Sequence, residues 1–254
     1  MKEALAEKLL AKVLGWEPPK MAKERPRLQA MASFKYDAYE QFFPGLRFVE
    51  SLALWLNQFE PAHRKTAYDY LMSALVFCSA EEMDHLVETA YHDHIRPILM
   101  AKEAKDKGLN PRHVGRIASS AGFRIRQRET LFLGLSDGAR IDSFRRSNRD
   151  LNHEQISQTH ELANERIDDL LAKLTEHTAT IVGDSGAPSK SFCSIVLLDD
   201  FSASGSSYLA FKDGKAKGKV AKFLDALADK DKPLHRLVSA QGIDLIILIY
   251  VATE

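Results

Sequence analysis

The sequence predicts an α/β protein, with an N-terminal all-helical module followed by a small, mostly parallel, Rossmann-like sheet. Three observations predict it. Apolar residues recur at helical spacing through the first half. The second half holds three apolar runs of strand length, Thr130–Leu135, Phe192–Leu198 and Ile243–Val251. Helical patterns separate those runs, and strands alternating with helices are the mark of a parallel sheet.

In chain order, Leu5, Leu9, Leu10, Val13 and Leu14 form one apolar face of a first helix, which Gly15 and Pro18-Pro19 stop. A loose basic stretch follows to about Ala32. Between Phe43 and Ala104 the helical spacing returns in Leu46, Val49, Leu52 and Trp55, then Tyr68, Leu71 and Leu75, then Met83, Val87 and Tyr91. Pro61 suits a first helical turn, and Ser79 with Glu82 three residues on has the form of a capping box. These short helices predict a module over 1–110, with a winged-helix relationship left open because no wing hairpin is visible. An α/β domain is expected over 111–254.

That domain opens with a short helix from Asn110-Pro111, closed by Ser119–Gly122, and the first strand exits through the turn Ser136-Asp-Gly138. Asn152 is then expected to cap one long helix carrying Ile156, Ala163, Ile167, Leu170, Leu171 and Leu174. A small-residue loop leads into the second strand, a helix is expected near 217–229, and the third strand follows. About three to four strands make a small sheet, as in a shortened member of its class.

Composition narrows the function classes. With 45% hydrophobic and 28% charged residues, the 254-residue chain is ordinary globular material. It has no apolar run of the roughly 20 residues that a membrane-spanning helix needs, and no membrane partner is expected. Two distant cysteines, Cys78 and Cys193, lack metal-ligand spacing and point to a reducing compartment, with the cytoplasm as the expected location. Net charge is zero, so no global field favours nucleic acid. Locally, Pro111–Asp150 holds nine arginines (from Arg112 to Arg149) against four acids. Two readings stand: a phosphate or nucleic-acid surface, or a solvated face whose arginines pair with the acids.

The segment with most chemical content is Ile195-Val-Leu-Leu-Asp-Asp-Phe-Ser-Ala-Ser-Gly-Ser-Ser-Tyr-Leu209. In an open α/β sheet, ligands sit at the carboxyl ends of strands. Small residues there let backbone N–H groups close on a phosphate, aided by the following helix N-terminus. Two adjacent carboxylates can accept hydrogen bonds from vicinal ribose hydroxyls. The alternative is a Ser/Gly turn with two capping acids.

This segment resembles the 5-phosphoribosyl diphosphate signature of type I phosphoribosyltransferases. The resemblance implies that Asp199 and Asp200 face the ribose hydroxyls as catalytic residues. It implies that Ala203, Ser204, Gly205, Ser206 and Ser207 wrap the 5′-phosphate. Asp137, Gly138 and Arg140 then become candidates for holding the diphosphate, an ordinary turn being the other reading. Mg2+ would enter through the diphosphate. The helical module, with Gly134–Asp142 and Arg145–Gln155, is similar to divergent phosphoribosyltransferase-like proteins of bacterial conflict and defence systems. That similarity implies a nucleotide-dependent effector or sensor. The acceptor stays open, as does an inactive nucleotide sensor or a regulator whose protein or nucleic-acid partner is read by the helical module and the Arg112–Arg149 region.

Other signals are weaker. Glu82-Met-Asp-His85 has di-iron spacing but lacks the second motif and extra carboxylates. His92 and His94 face different sides of a helix. Gly183–Ser191 precedes a strand instead of following one, as a nucleotide loop would. Lys212, Lys215, Lys217, Lys219 and Lys222 read best as a solvated turn.

Overall fold

The computed structural model describes residues 3–36, 48–237, 239 and 242–253; Phe43 and Leu46 lie outside the described residues. Contacts divide the chain into two units, Met1–His85 and Leu86–Glu254, ahead of the division near residue 110 read from the sequence.

The first unit is helical: α1 (Glu3–Leu14), α2 (Pro18–Met31), α3 (Phe48–Leu56), α4 (Pro61–Ala74) and the start of α5 (Ala80–Thr89). Helix α2 replaces the expected loose stretch. Pro18 and Pro19 fall in its first turn, where no backbone N–H is needed, so they start a helix as well as ending one. Met21 and Leu28, two turns apart, bury against the cluster that holds Leu10, Leu52 and Leu56. Arg25 Nε donates to both Glu7 oxygens at 2.9 Å. Ser79 forms the expected capping box, its N–H donating to Glu82 Oε2 at 2.8 Å and its Oγ accepting from the Glu82 N–H at 3.2 Å. Among the described residues of this unit there is no strand, hence no wing hairpin.

The second unit contains α6 (Arg96–Asp106), α7 (Val114–Ala118), α8 (Ala121–Arg128), β1 (Thr130–Gly134), α9 (Ile141–Ser147), β2 (Ile156–Ser157), α10 (Asn164–Val182), β3 (Ser194–Ser202), β4 (Ala210–Lys212), β5 (Lys215–Lys217), α11 (Lys219–Ala228) and β6 (Asp244–Ala252). The order β2-β1-β3-β6 is parallel throughout. Alternate residues of the strands face opposite helical layers. Leu131, Leu133, Ile195 and Leu197 pack with Leu170 and Leu174 of α10 and Phe223 of α11. Phe132 faces the other way, with Tyr91 at 6.0 Å and Phe144 of α9 at 5.3 Å between ring centroids. Covering on both faces explains why β1 is an unbroken apolar run.

Two expected helix boundaries move. Asn152 Oδ1 accepts from the Glu154 N–H at 2.9 Å and so caps only a short turn, not a long helix. Ile156 is taken up by the β1 edge opposite Phe132, while Gln155 Nε2 bonds the carbonyls of Gln127 and Thr130 at 2.8 and 2.7 Å. The long helix therefore starts at Asn164. Ser120 opens α8 rather than closing α7, its Oγ accepting from the Phe123 N–H at 3.0 Å. Among the described residues no helix is long and apolar enough to cross a membrane.

Candidate functional site

Chain order and sheet order diverge at one place. From β1 the chain moves to β2 on one side, then returns through α10 to β3 on the other. Such a reversal leaves a crevice at the carboxyl ends of the two strands, where open α/β sheets bind ligands. The exit loops of β1 and β3 are the two segments that carry the sequence-derived site residues.

The loops touch. Leu135 N–H donates to Leu198 O at 2.9 Å, and Ser136 Oγ makes a short bond to Asp199 Oδ1. Gly138 lies against Asp200, so that a Cβ there would sit 2.2 Å from Asp200 Oδ2. A side chain at 138 would force the Asp200 carboxylate to move, and the structure thus brings Gly138 to the acid pair, with the exposed Asp137 beside it in the chain. Arg140 closes the β1 loop in the left-handed region (φ 49°), uncommon for a side chain of its kind.

The two acids are not equivalent. Asp199 is fully buried, with Oδ2 accepting from Lys219 Nζ at 2.8 Å and Oδ1 held by Ser136. Burial is the largest influence on its carboxyl and pushes its pKa up. The hydrogen bonds from Lys219 and Ser136, with the Lys219 charge, outweigh it and hold Asp199 below the usual carboxylate range. Asp200 is partly exposed, and its Oδ1 accepts from the Phe201 N–H at 2.8 Å. Asp200 is therefore the acid open to a ligand. Asp199 organises the loops around it.

Beyond the acids, Ala203, Ser204, Ser206 and Ser207 are exposed and Gly205 turns the chain at φ 72°. Ser204 Oγ lies 2.8 Å from Ser206 Oγ, and the N–H groups of Tyr208 and Leu209 close on Gly205 O at 2.9 and 3.1 Å. Among the described residues, the N–H groups of Ser204, Gly205 and Ser207 have no partner. The expected helix N-terminus is not aimed at this turn. The β4–β5 hairpin intervenes, and the first N–H groups of α11, Lys219 and Val220, donate to Ser207 O and Tyr208 O at 2.9 and 3.0 Å. That helix end supports the loop instead of an anion.

Sequence reasoning missed Ser136, Tyr208 and Lys219 as parts of the site. Lys219 was read with its neighbours as a solvated turn. Lys212, Lys215 and Lys217 are indeed exposed on the hairpin, whereas Lys219 turns inward to Asp199 and lies 5.1 Å from the Tyr208 ring centroid. The Gly218-Lys219 junction ahead of an amphipathic helix was the available signal. The arginine-rich segment is partly spent internally. Arg126 pairs with Glu103 and Asp106, Arg145 Nη2 donates to Ile156 O at 2.7 Å, and Arg128 is buried.

A covered parallel sheet with an acid-bearing, small-residue turn at its switch point is consistent with a phosphoribosyltransferase-like α/β domain. The PRTase-CE family model matches residues 52–254, and the chain belongs to that family. No curated protein and no solved structure gives a significant match.

Proposed function

We propose that the carboxyl edge of β1 and β3 binds 5-phosphoribosyl diphosphate or a nucleotide 5′-phosphate and supports transfer of the ribosyl phosphate. The convergence of the Ser136–Arg140 loop with Asp199–Ser207 at the topological switch point carries this reading. In it, Asp200 accepts from a ribose hydroxyl and the open N–H groups of Ser204, Gly205 and Ser207 take the 5′-phosphate. Lys219 and Ser136 act through Asp199 as positioning residues. Among the described residues no three His, Cys, Asp or Glu groups gather to hold a metal. A diphosphate-borne Mg2+ fits such a donor set, because that ion keeps waters and takes only one or two carboxylates, here Asp200 and exposed Asp137. When bound, it would neutralise charge on the leaving diphosphate.

Calorimetric titration of 5-phosphoribosyl diphosphate with Mg2+ tests the site. Binding by wild type that is lost in folded Asp200→Asn and Ser207→Asp variants is the expected result. Silence of folded wild type toward it and toward nucleoside monophosphates overturns the reading. One observation favours a second reading, a nucleotide sensor without turnover. Asp199 is sequestered by Lys219, leaving Asp200 as the open acid. Ligand binding without diphosphate release from any base would select it.

A further inference from the structure

We propose that the cleft between α8, the 150–155 segment and α10 is a second binding site, for a small phosphate-class oxyanion, with Arg128 as its anchoring cation. This inference does not depend on the proposed activity. Strands β1 and β2 are parallel, and the cleft lies where they begin, at the opposite edge from the acid pair.

Arg128, the last residue of α8, is 5% exposed. Its Nε donates to His177 Nδ1 at 3.2 Å, while Nη1 and Nη2 are both buried and unpartnered. An arginine cannot relieve this by losing its proton, and a buried charge without a partner is costly. Among the described residues no carboxylate pairs with it. Glu154 acts on it only at a distance, since its own carboxylate is taken by Lys173 Nζ at 2.7 Å.

The surroundings suit an anion. Asn152 Oδ1 is fixed by the Glu154 N–H at 2.9 Å, which leaves its Nδ2 2.7 Å from His177 Nδ1. His177 Nδ1 thus faces two donors, the Arg128 Nε–H and the Asn152 amide, whose Nδ2 also lies 3.4 Å from Nε2. Arg124, one turn before Arg128 on the same helix face, is exposed and has no side-chain partner among the described residues. Asp150 is the one carboxylate in the lining, against these two arginines. The volume, about 280 Å³, leaves room for a small oxyanion. The guanidinium fork matches tetrahedral phosphate oxygens. Both Nη atoms are closed to solvent in this conformation, so an anion reaches them only when the lining of the cleft shifts.

The test is calorimetry of inorganic phosphate into the full chain, with sodium chloride at matched ionic strength as reference. The Asp199–Ser207 loop is an alternative phosphate site, so a Ser204→Asp/Ser207→Asp variant blocks it by charge. Phosphate binding is expected to persist in that variant, to weaken about tenfold or more in Arg124→Gln, and to vanish in Arg128→Met. If Arg128→Met does not fold, Arg128→Lys, which keeps charge but loses the fork, carries the same test with a loss of about tenfold or more. Binding that survives in Arg128→Met but disappears in the loop variant overturns the proposal. So does silence of wild type, which leaves Arg128 merely hydrated, or an equal response to acetate.

Discussion

The two edges of one parallel sheet treat buried charge in opposite ways. At the carboxyl edge, Asp199 is fully enclosed, yet a lysine, a serine and the Asp200 N–H supply its hydrogen bonds. At the amino edge, Arg128 is almost as deeply enclosed, but two of its three guanidinium nitrogens have no partner. A satisfied buried charge fixes the geometry of its neighbours. An unsatisfied one marks a place the fold has left for something else. The same kind of substitution should therefore have opposite consequences at the two edges.

The largest effect is expected from Lys219→Met, which leaves Asp199 buried without its cation. Lys219 keeps a side-chain exposure of 36%, so water screens part of the pair. The expected loss is about 2–3 kcal/mol, below the roughly 3–5 kcal/mol for breaking an enclosed pair. The variant should also respond to acid. A carboxyl whose folded pKa lies below its unfolded value adds stability that is complete above the unfolded pKa and fades as pH falls through the folded one. For wild type that window lies below the ordinary aspartate pKa of about 3.8. Removing Lys219 raises the folded pKa of Asp199 toward or above the unfolded value, so the stability that this group loses in acid should shrink or reverse, with the onset still set by the unfolded pKa. Denaturant unfolding of both proteins across acidic pH measures each effect, and identical acid limbs would count against the pairing.

Gly138→Val comes next, because it attacks the contact between loops rather than a charge. Its Cβ would lie 2.2 Å from Asp200 Oδ2, so the acid must swing away or the loop must shift. The expected cost is about 1–3 kcal/mol, as for overpacking, together with loss of 5-phosphoribosyl diphosphate binding by calorimetry. Gly205→Ala should cost less, about 1–2 kcal/mol. Nothing lies within 4 Å of a Cβ there, and only the left-handed backbone opposes it. Equal costs for the two glycines would mean that the Gly138–Asp200 approach is not a close one.

How much of this was legible beforehand follows the same division. Strands β1 and β3 were readable because burial on both faces leaves continuous apolar runs, with Asp199–Ser207 at the end of one, and β6 is an equally apolar run although it is only partly buried. Strand β2 was not: only two residues pair, and Ile156 also fitted a helix face. Helix α2 was hidden by its prolines and lysines, since helix-starting prolines look like breakers. Lys219 was obscured by exposed neighbours of the same type, because spacing alone does not say which lysine of a run turns inward. Arg128 was obscured for the same reason within an arginine-rich stretch.

The smallest stability effect, and the sharpest contrast, is expected from Arg128→Met. Methionine approximates the length of the arginine stem and removes two buried donors that nothing satisfies. It forfeits the Nε bond to His177, worth about 1 kcal/mol, against roughly 1–3 kcal/mol for each unsatisfied polar group relieved. In phosphate-free buffer the variant should therefore match wild type or exceed it by about 1 kcal/mol in chemical denaturation. Saturating phosphate should reverse the order, because a ligand that binds only the folded wild type stabilises it alone. A large loss in phosphate-free buffer would show that the guanidinium is already satisfied, and the two edges would then handle buried charge alike.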